Sequence, residues 1–201
     1  MEEFASCEDF ANYFVGVVLG DGDLYHDAKR GYRVRVTDAS ADYLRVLNAY
    51  LERCFGIKGR IYKHKKYSAY HLVIWRKELY ELIVRRTNVL LEEPTSAFVA
   101  GIIDAEGGVN KTRNGLYRLY VTNTDKRLID AVAKVLNSLA IKYYLVSERR
   151  RYRIYVHGID RINRLLSSIP SIHPKIRDKF SSFFSPLLSS APVSADRVIA
   201  P

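Results

Sequence analysis

The chain contains the same arrangement of residues twice. Three blocks in its first half match three blocks in its second half, in the same order. The matched pairs are 14–22 (FVGVVLGDG) with 99–107 (VAGIIDAEG), 32–37 with 117–122, and 70–74 with 152–156. The first two pairs are 85 residues apart and the third pair is 82 residues apart. Because chance rarely supplies three matches in order, we infer a duplicated unit of about 80 residues.

Hydrophobic periodicity predicts the same order of elements in both units: an apolar helix, two strands, an amphipathic helix, two more strands and a closing helix. The elements expected in the first unit are strands near 24–26, 32–37, 58–64 and 69–75, and helices over 42–55 and 77–86. Those expected in the second unit are strands near 109–112, 116–122, 142–148 and 151–156, and helices over 127–140 and 160–168. The pattern predicts an α+β fold with units at 1–91 and 96–184, a linker at 92–95 and a tail at 185–201.

Each apolar helix carries two small residues four positions apart, Gly16 and Gly20 in the first and Gly101 and Ala105 in the second. This spacing places the small residues on one face, where two helix backbones can approach closely. Glycine inside a helix costs about 1 kcal/mol relative to alanine, so the glycines need a compensating contact. We therefore predict that the two apolar helices pack together as a pseudo-two-fold pair.

Such packing makes the last residues of the two helices, Asp21 and Glu106, neighbours. Acids are disfavoured at a helix carboxyl end because the unpaired carbonyls carry partial negative charge, and two adjacent acids also repel. A divalent cation such as Mg²⁺ relieves both problems, since it prefers carboxylate and carbonyl oxygens. Asp23 and Asp104 have no acidic counterpart in the other unit, so the repeat singles out Asp21 and Glu106. The alternative is a pair of solvated acids at two helix ends.

Lys and Arg number 32 against 22 Asp and Glu, and the net charge of +10 favours a polyanionic partner, either nucleic acid or an anionic membrane surface. Basic and apolar residues alternate in several predicted strands, which places the basic side chains on one face of a sheet. The residues expected to form this basic surface are Arg33, Arg35, Lys63, Lys65, Arg118, Tyr120, Arg151, Arg153 and Tyr155. The alternative is a set of solubilising charges on a half-exposed sheet.

Several other classes of protein are disfavoured. No apolar run approaches the roughly 18 residues of a membrane span, and the first residues lack the basic segment of a signal peptide, so we expect a cytoplasmic protein. Cys7 and Cys54 are too few for a structural zinc site, and we expect free, buried thiols in a reducing compartment. The five histidines lack metal-ligand spacing. The absence of Gln and the single Met favour a thermophilic host.

The block 99–107 resembles the LAGLIDADG motif with conservative exchanges, and 14–22 resembles a looser copy of it. Residues 10–185 as a whole resemble the single-chain, two-motif LAGLIDADG homing endonucleases, especially the archaeal intron-encoded type. The resemblance implies a tandem αββαββα fold whose motif helices form the internal interface. It also implies two saddle-shaped antiparallel sheets that sit in the major groove of a long, asymmetric double-stranded DNA target, with cleavage of both strands and short 3′ overhangs.

The resemblance assigns the metals to Asp21 and Glu106, with help from the carbonyl oxygens of Gly20 and Ala105. It implies Mg²⁺ as the cofactor, Mn²⁺ as a substitute, and Ca²⁺ as an ion that binds without supporting cleavage. Because the duplication already supplies the symmetric partner, a monomer is expected.

A polar residue that orients water is implied at the end of the second strand of each unit, and the matching positions are Asp38 and Asn123. Relatives often place a lysine directly after this residue, whereas this chain has Ala39 and Thr124. The basic member of the site is therefore unassigned. Lys111 is the nearest basic residue after the second motif, and its alternative is a phosphate-contacting or solvated lysine.

Three interpretations of the function remain open. The first is a divalent-metal-dependent, site-specific DNA endonuclease in which activated water attacks each scissile phosphate. The second is a binding protein on the same scaffold, either a maturase that assists the folding of an intron RNA or a transcriptional regulator that has lost cleavage. Acids at both motif positions favour the enzyme, since a pure binding protein gains nothing from two repelling carboxylates. A basic α+β protein without catalysis is the third reading.

Overall fold

The protein is built from two copies of one αββαββα unit, and the computed structural model describes residues 4–176 and 178. The elements of the first unit are α1 (Cys7–Asp21), β1 (Gly22–Asp27), β2 (Gly31–Asp38), α2 (Ala41–Phe55), β3 (Arg60–Lys63), β4 (Tyr70–Ile74) and α3 (Lys77–Glu92). Those of the second unit are α4 (Ser96–Glu106), β5 (Gly107–Lys111), β6 (Tyr117–Asn123), α5 (Lys126–Ser138), β7 (Tyr144–Glu148), β8 (Arg151–His157) and α6 (Ile159–Ser168). The α+β duplication is confirmed, and the predicted tail at 185–201 lies outside the described residues.

Each unit holds one four-stranded antiparallel sheet. The strand orders are β1-β2-β4-β3 and β5-β6-β8-β7, so the two sheets have the same topology. Alternate residues point to opposite faces, and the valines and isoleucines of the central strands, Val34, Val36, Ile154 and Val156, are fully buried against the helices. The other face of each sheet carries most of the basic residues. The predicted alternation of apolar and basic residues is therefore confirmed for β2 and β8.

The two sheets are joined through close contact between α1 and α4. A Cβ on Gly16 would lie 2.2 Å from the carbonyl oxygen of Phe98, and a Cβ on Gly101 would lie 2.1 Å from that of Tyr13. Real Cβ atoms do not approach backbone oxygen this closely, so the helices meet backbone to backbone. The predicted packing of the motif helices is confirmed. Although these helices are apolar, no helix in the described part of the chain is long and apolar enough to cross a bilayer.

Both motif helices pass directly into a strand, without a loop. Gly22 follows α1 and Gly107 follows α4, each with an extended backbone (φ −110° and −89°). A Cβ would lie 2.6 Å from the Val18 carbonyl oxygen at Gly22 and 2.3 Å from the Ile103 carbonyl oxygen at Gly107. Glycine therefore allows the strand to leave the helix at once, and this places the last residue of each helix at the edge of a sheet.

Cys7 and Cys54 are bonded to each other, with their Cα atoms 5.4 Å apart. The bond joins the first turn of α1 to the last turn of α2. The expectation of free, buried thiols is therefore wrong: Cys7 is exposed and Cys54 is only half-buried. A sequence separation of 47 residues carries no local signal for such a pairing. Disulfides are found in intracellular proteins of hyperthermophiles, so the bond does not require an oxidising compartment.

We expect Gly101→Ala to lower the free energy of unfolding by about 2 kcal/mol or more, because the added methyl group must push apart two packed backbones. In an isolated helix the same change is favourable by about 1 kcal/mol, so the sign of the effect is diagnostic. Urea unfolding measures it. Ala49→Val, which adds bulk on the exposed face of α2, serves as the control and is expected to cost less than about 1 kcal/mol. A Gly101→Ala protein as stable as the wild type would contradict the close helix contact.

Candidate active centre at the junction of the motif helices

Asp21 and Glu106 lie next to each other at the carboxyl ends of α1 and α4. A Cβ on Gly20 would lie 2.5 Å from the Ala105 Cβ and 3.2 Å from the Glu106 Cγ, so the last turns of the two helices touch. The negative charge of Asp21 acts directly on Glu106. The structure therefore brings together the two acids that the repeat singled out.

Both carboxyl groups have raised pKa values. Burial raises the pKa of Asp21 to about 6, although the Lys175 ammonium acts in the opposite direction. Burial, and then repulsion by Asp21, raises the pKa of Glu106 to about 7, although Asn123 donates a hydrogen bond to it. Two neighbouring carboxyl groups that resist ionisation form a place where a cation is strongly favoured.

The available donors fit a hard divalent cation with few protein ligands. Within 4–176 and 178, no group of three or more His, Cys, Asp or Glu side chains is arranged to hold a metal ion. The oxygen atoms at this junction include the carboxylates of Asp21 and Glu106 and the Ala105 carbonyl oxygen, which accepts a hydrogen bond from Lys175. Carboxylate and carbonyl oxygens are the ligands of Mg²⁺, which usually keeps several waters or substrate oxygens.

Asp38 and Asn123 occupy matching positions beside the two acids. Asn123 donates from Nδ2 to Glu106 Oε1 at 2.7 Å. Its Oδ1 accepts the amide of Asp125 at 2.7 Å, and Asp38 Oδ1 accepts the amide of Ser40 at 2.6 Å. Both side chains are therefore held by the same turn, two residues onward, at the end of β2 and of β6. The structure therefore places both residues at the ends of their strands, close to the acid pair.

The second carboxylate oxygen of Asp38 contacts a residue from the other end of the chain. His173 Nε2 lies 2.9 Å from Asp38 Oδ2, and both side chains are almost fully buried. Burial raises the pKa of Asp38, but the hydrogen bonds from His173 and from the Ser40 amide outweigh it, so the pKa is lowered overall. Asp38 is therefore a stable anion next to Asp21.

Lys111 lies away from this centre. It is the last residue of β5, and it pairs with Tyr117, so its side chain is on the helix side of the sheet. At about 3.4 Å per residue, Lys111 is roughly 14 Å along the strand from Gly107. Its ammonium lies over the Tyr117 ring at 5.4 Å. The structure therefore does not bring Lys111 to the acid pair, because β5 leads away from the end of α4.

Lys175, which the sequence did not single out, lies beside the acid pair. Its Nζ donates to the Ala105 carbonyl oxygen at 3.3 Å, and its charge lowers the pKa of both Asp21 and Glu106. It follows the closing helix of the second unit, beyond the last block that the repeat aligns. The alignment of the two units therefore carries no signal for it.

On the first sheet, Asp23 organises the two predicted arginines of β2. Arg33 donates to Asp23 Oδ2 at 2.8 Å, and Arg35 donates to Asp23 Oδ1. The Arg33 guanidinium also lies 4.8 Å from the centre of the Tyr25 ring. Asp23 therefore has a structural role that explains why it lacks a counterpart in the other unit.

On the second sheet, the predicted basic and aromatic residues contact one another. Arg153 donates to Thr122 Oγ1 at 2.7 Å and to the Tyr155 hydroxyl at 2.8 Å. Arg118 lies 4.5 Å from the centre of the Tyr155 ring. Tyr120 is directly opposite Tyr155 in the strand register, so it shares this face. The result is an ordered surface of guanidinium and aromatic groups.

One predicted residue of the basic surface lies on the other side of its sheet. Lys63 pairs with Tyr70, two residues from the pair formed by half-buried Ile61 and buried Leu72, so it projects towards the helices. Its neighbour Tyr62 occupies the open face instead. The placement of Lys63 is corrected because the short strand β3 has the opposite phase. Lys65, in the β3–β4 connection, and Arg151, at the start of β8, are exposed.

The turn between β7 and β8 carries two further arginines that the sequence analysis did not include. Glu148 pairs with Arg151, so Arg149 and Arg150 are the two central residues of the hairpin. Both have positive φ angles, 44° and 69°. Such turns favour Asn-Gly, and a left-handed backbone at other residues costs about 1–2 kcal/mol each.

These features define a class of protein: a duplicated α+β chain with two basic sheet faces and an acid pair between them, at the ends of two helices in backbone contact. Family models match both units, "LAGLIDADG-like domain" at residues 10–90 and "WhiA LAGLIDADG-like domain" at 95–174. The two matches together span most of the chain. The protein belongs to the LAGLIDADG family, as a member with two motifs in one chain.

Individual relatives agree with this assignment. Homing endonuclease I-DmoI of Desulfurococcus mucosus is 29% identical over 164 residues, which are 76% of this chain and 82% of that protein. The structure of I-DmoI with DNA and Ca has a TM-score of 0.68 at 25% identity and covers 88% of this chain and 99% of that chain. Full-length WhiA of Thermatoga maritima has a TM-score of 0.64 at 18% identity, covering 98% of this chain and 64% of that chain, and so shares the fold.

The raised pKa values predict how stability depends on pH when no divalent cation is present. A carboxyl group with a higher pKa in the folded protein binds its proton more tightly there, so its ionisation destabilises the fold. The contribution of Asp21 and Glu106 to the free energy of unfolding is therefore greatest below about pH 4. It falls as the pH rises towards their pKa values in the folded protein, about 6 and about 7.

We expect Glu106→Gln to be more stable than the wild type at about pH 8 in EDTA, by about 1–2 kcal/mol after allowance for solvent screening. The difference should shrink as the pH is lowered to about 4. Urea unfolding across this range measures it, with Glu92→Gln at an exposed position of α3 as the control. A Glu106→Gln profile parallel to that of the wild type would contradict the mutual destabilisation of the two acids.

Proposed function

We propose that the protein is a divalent-metal-dependent endonuclease that hydrolyses both strands of a long, asymmetric double-stranded DNA target and leaves short 3′ overhangs. The observation that carries this proposal is the position of the acid pair. Asp21 and Glu106 lie at the junction of two sheets whose open faces are basic, so a phosphodiester backbone bound along those faces passes over the acids. The I-DmoI structures with DNA and Mn, and with DNA and Ca, support it by family likeness.

A bound divalent cation supplies a Lewis acid and lowers the pKa of water. Side chains of this protein would hold that cation and orient the water around it. Asp21 and Glu106 provide the negative charge, and Asn123 fixes one oxygen of Glu106 through its 2.7 Å hydrogen bond. Asp38 is held as an anion by His173 and the Ser40 amide, and it is positioned to accept a hydrogen bond from water. We propose Mg²⁺ as the ion, with Ca²⁺ supporting binding but not cleavage.

The two halves of the centre differ, and this supports an asymmetric target read by a monomer. One half carries Asp21 with Asp38, and the other carries Glu106 with Asn123. The sheets also differ, since β2 presents an Asp23-organised arginine pair and β8 presents arginine with tyrosine. Each half is therefore adapted to a different half of the DNA.

We expect Asp21→Asn and Glu106→Gln each to slow cleavage by about 10²-fold or more, because each removes charge that holds the cation. Wild type and variants are incubated with Mg²⁺ and a pool of DNA duplexes, and cut ends are sequenced. DNA binding, measured in Ca²⁺, should persist. Asp130→Asn, which removes an acid on α5 that is paired with Lys126, is the matched control and should cut normally.

Three outcomes discriminate between the readings. Staggered cuts that vanish in both variants support the nuclease. Binding without cutting by the wild type favours a binding protein on the same scaffold. Normal cutting by both variants contradicts the site assignment.

Arg149 and Arg150, in the turn between β7 and β8, allow a separate test. We expect Arg149→Asn combined with Arg150→Gly to raise the free energy of unfolding by about 1–2 kcal/mol, because the turn then has residues that adopt positive φ readily. The same variant should bind DNA more weakly, with a salt dependence reduced by about two phosphate contacts. The control replaces both residues with Lys, which keeps charge and strain. Unchanged DNA binding would contradict a contact at this turn.

A further inference from the structure

The segment 171–175, here called the strap, follows α6 and is anchored to the motif helix α4. Ser171 Oγ donates to Asp104 Oδ1 at 2.5 Å. The amides of Ile172 and His173 donate to Asp104 Oδ2 at 2.8 and 3.0 Å. Asp104 is completely buried, so these hydrogen bonds replace the water that its carboxylate has lost.

A fourth donor links the same carboxylate to the first unit. The Tyr13 hydroxyl of α1 donates to Asp104 Oδ2 at 2.7 Å and lies 2.8 Å from the Tyr43 hydroxyl. The Tyr43 ring packs on the His173 ring with centroids 4.2 Å apart. Asp104 therefore fixes the strap to both motif helices. Loss of a single member of a buried network of this kind leaves unpaired polar groups, so the strap position is strongly determined.

The orientation of His173 fixes the far end of the strap. The Lys175 amide donates to His173 Nδ1 at 2.9 Å, so Nδ1 is the acceptor nitrogen and the ring carries its proton on Nε2. Nε2 then donates to Asp38 Oδ2 at 2.9 Å. This arrangement holds the Lys175 backbone at the end of β2.

Lys175 extends from this anchor into the acid pair. Its Nζ donates to the Ala105 carbonyl oxygen at 3.3 Å, one residue before Glu106. Its positive charge also acts on Asp21, Glu106 and Asp38, and lowers the pKa of each. The strap thus places a lysine beside the acid pair, whereas the residues that follow Asp38 and Asn123 at the strand ends are Ala39 and Thr124.

We propose that Lys175 is the cationic catalytic residue of this centre and contacts a non-bridging oxygen of the scissile phosphate. This proposal rests on the proposed nuclease function. In hydrolysis the water oxygen bonds to phosphorus, the bond to the leaving sugar oxygen breaks, and the proton lost by water passes to solvent as the leaving oxygen gains one. Negative charge grows on the non-bridging oxygens, and the Lys175 side chain stabilises it by donating a hydrogen bond.

The competing explanation is that Lys175 only caps the end of a helix, since lysine side chains often donate to the last carbonyls. The chain provides a matched control for this. Lys134 Nζ donates to the Glu92 carbonyl oxygen at 2.7 Å, at the carboxyl end of α3. Lys134 therefore caps a helix without facing the acid pair.

The test compares K175M, K175R and K134M with the wild type in single-turnover cleavage of the DNA target with Mg²⁺. We expect K175M to cleave about 10²–10³-fold more slowly, K175R to keep much of the activity, and K134M to match the wild type. DNA affinity in Ca²⁺ should change little in all three. Wild-type cleavage by K175M overturns the proposal, and equal losses in K175M and K134M reduce Lys175 to a helix cap.

A second measurement does not depend on cleavage. The affinity for Mn²⁺ without DNA reports the charge beside the acid pair, because repulsion by a nearby ammonium would weaken the binding of a divalent cation by roughly tenfold. K175M should therefore bind Mn²⁺ about tenfold more tightly than the wild type, and K134M should not differ. Unchanged Mn²⁺ affinity in K175M overturns the placement of Lys175, whereas a wild type that cuts no DNA overturns the proposed function itself.

A double-mutant cycle tests whether the strap acts through Lys175. Ser171→Ala removes one donor to Asp104 and loosens the anchor. If the anchor serves to position Lys175, Ser171→Ala slows cleavage several-fold in the wild-type background and adds nothing in K175M. Equal effects in both backgrounds would show that the anchor only stabilises the fold.

Discussion

The backbone contact between α1 and α4 is the constraint on which the other features depend. Gly16 and Gly101 leave no room for side chains at the crossing, so the helix ends cannot separate without loss of a large buried interface. Because Gly22 and Gly107 turn each chain directly into a strand, the helix ends are also the inner edges of the sheets. One contact thus sets the distance between two acids and the relative position of two basic surfaces.

Besides Asp38, the acids Asp104, Glu106 and Asp21 lie close to this junction, and their surroundings differ. Asp104 is fully buried and accepts four hydrogen bonds, which leaves it no capacity for a ligand. Glu106 receives one hydrogen bond, from Asn123, and its pKa is raised to about 7. The pKa of Asp21 is raised to about 6, mainly by burial. A carboxylate whose hydrogen bonds are complete holds the fold together, whereas incompletely satisfied carboxylates are suited to bind a cation.

The repeat allowed the fold and the acid pair to be predicted, because both are carried by residues present in each copy. The repeat carried no signal for features found in only one copy. These are the Cys7–Cys54 bond and Lys175, which follows α6. Strand phase was the other limit. Lys63 was expected on the open face, but it is one residue out of step with that face of β3. In a strand as short as β3, the residue types alone do not show which side chains lie on the open face of the sheet and which lie on the helix face.

The strap shows how a duplicated protein becomes asymmetric without losing its shared core. Asn123 touches Glu106 directly, whereas its counterpart Asp38 is engaged by His173 from the strap. Had both strand ends kept the same residue and its own lysine, each half would be chemically complete. Instead one lysine, on a segment that follows α6 and has no matched block in the first unit, lies beside both acids. The charged groups around the acid pair are therefore divided unequally between the two halves of the chain.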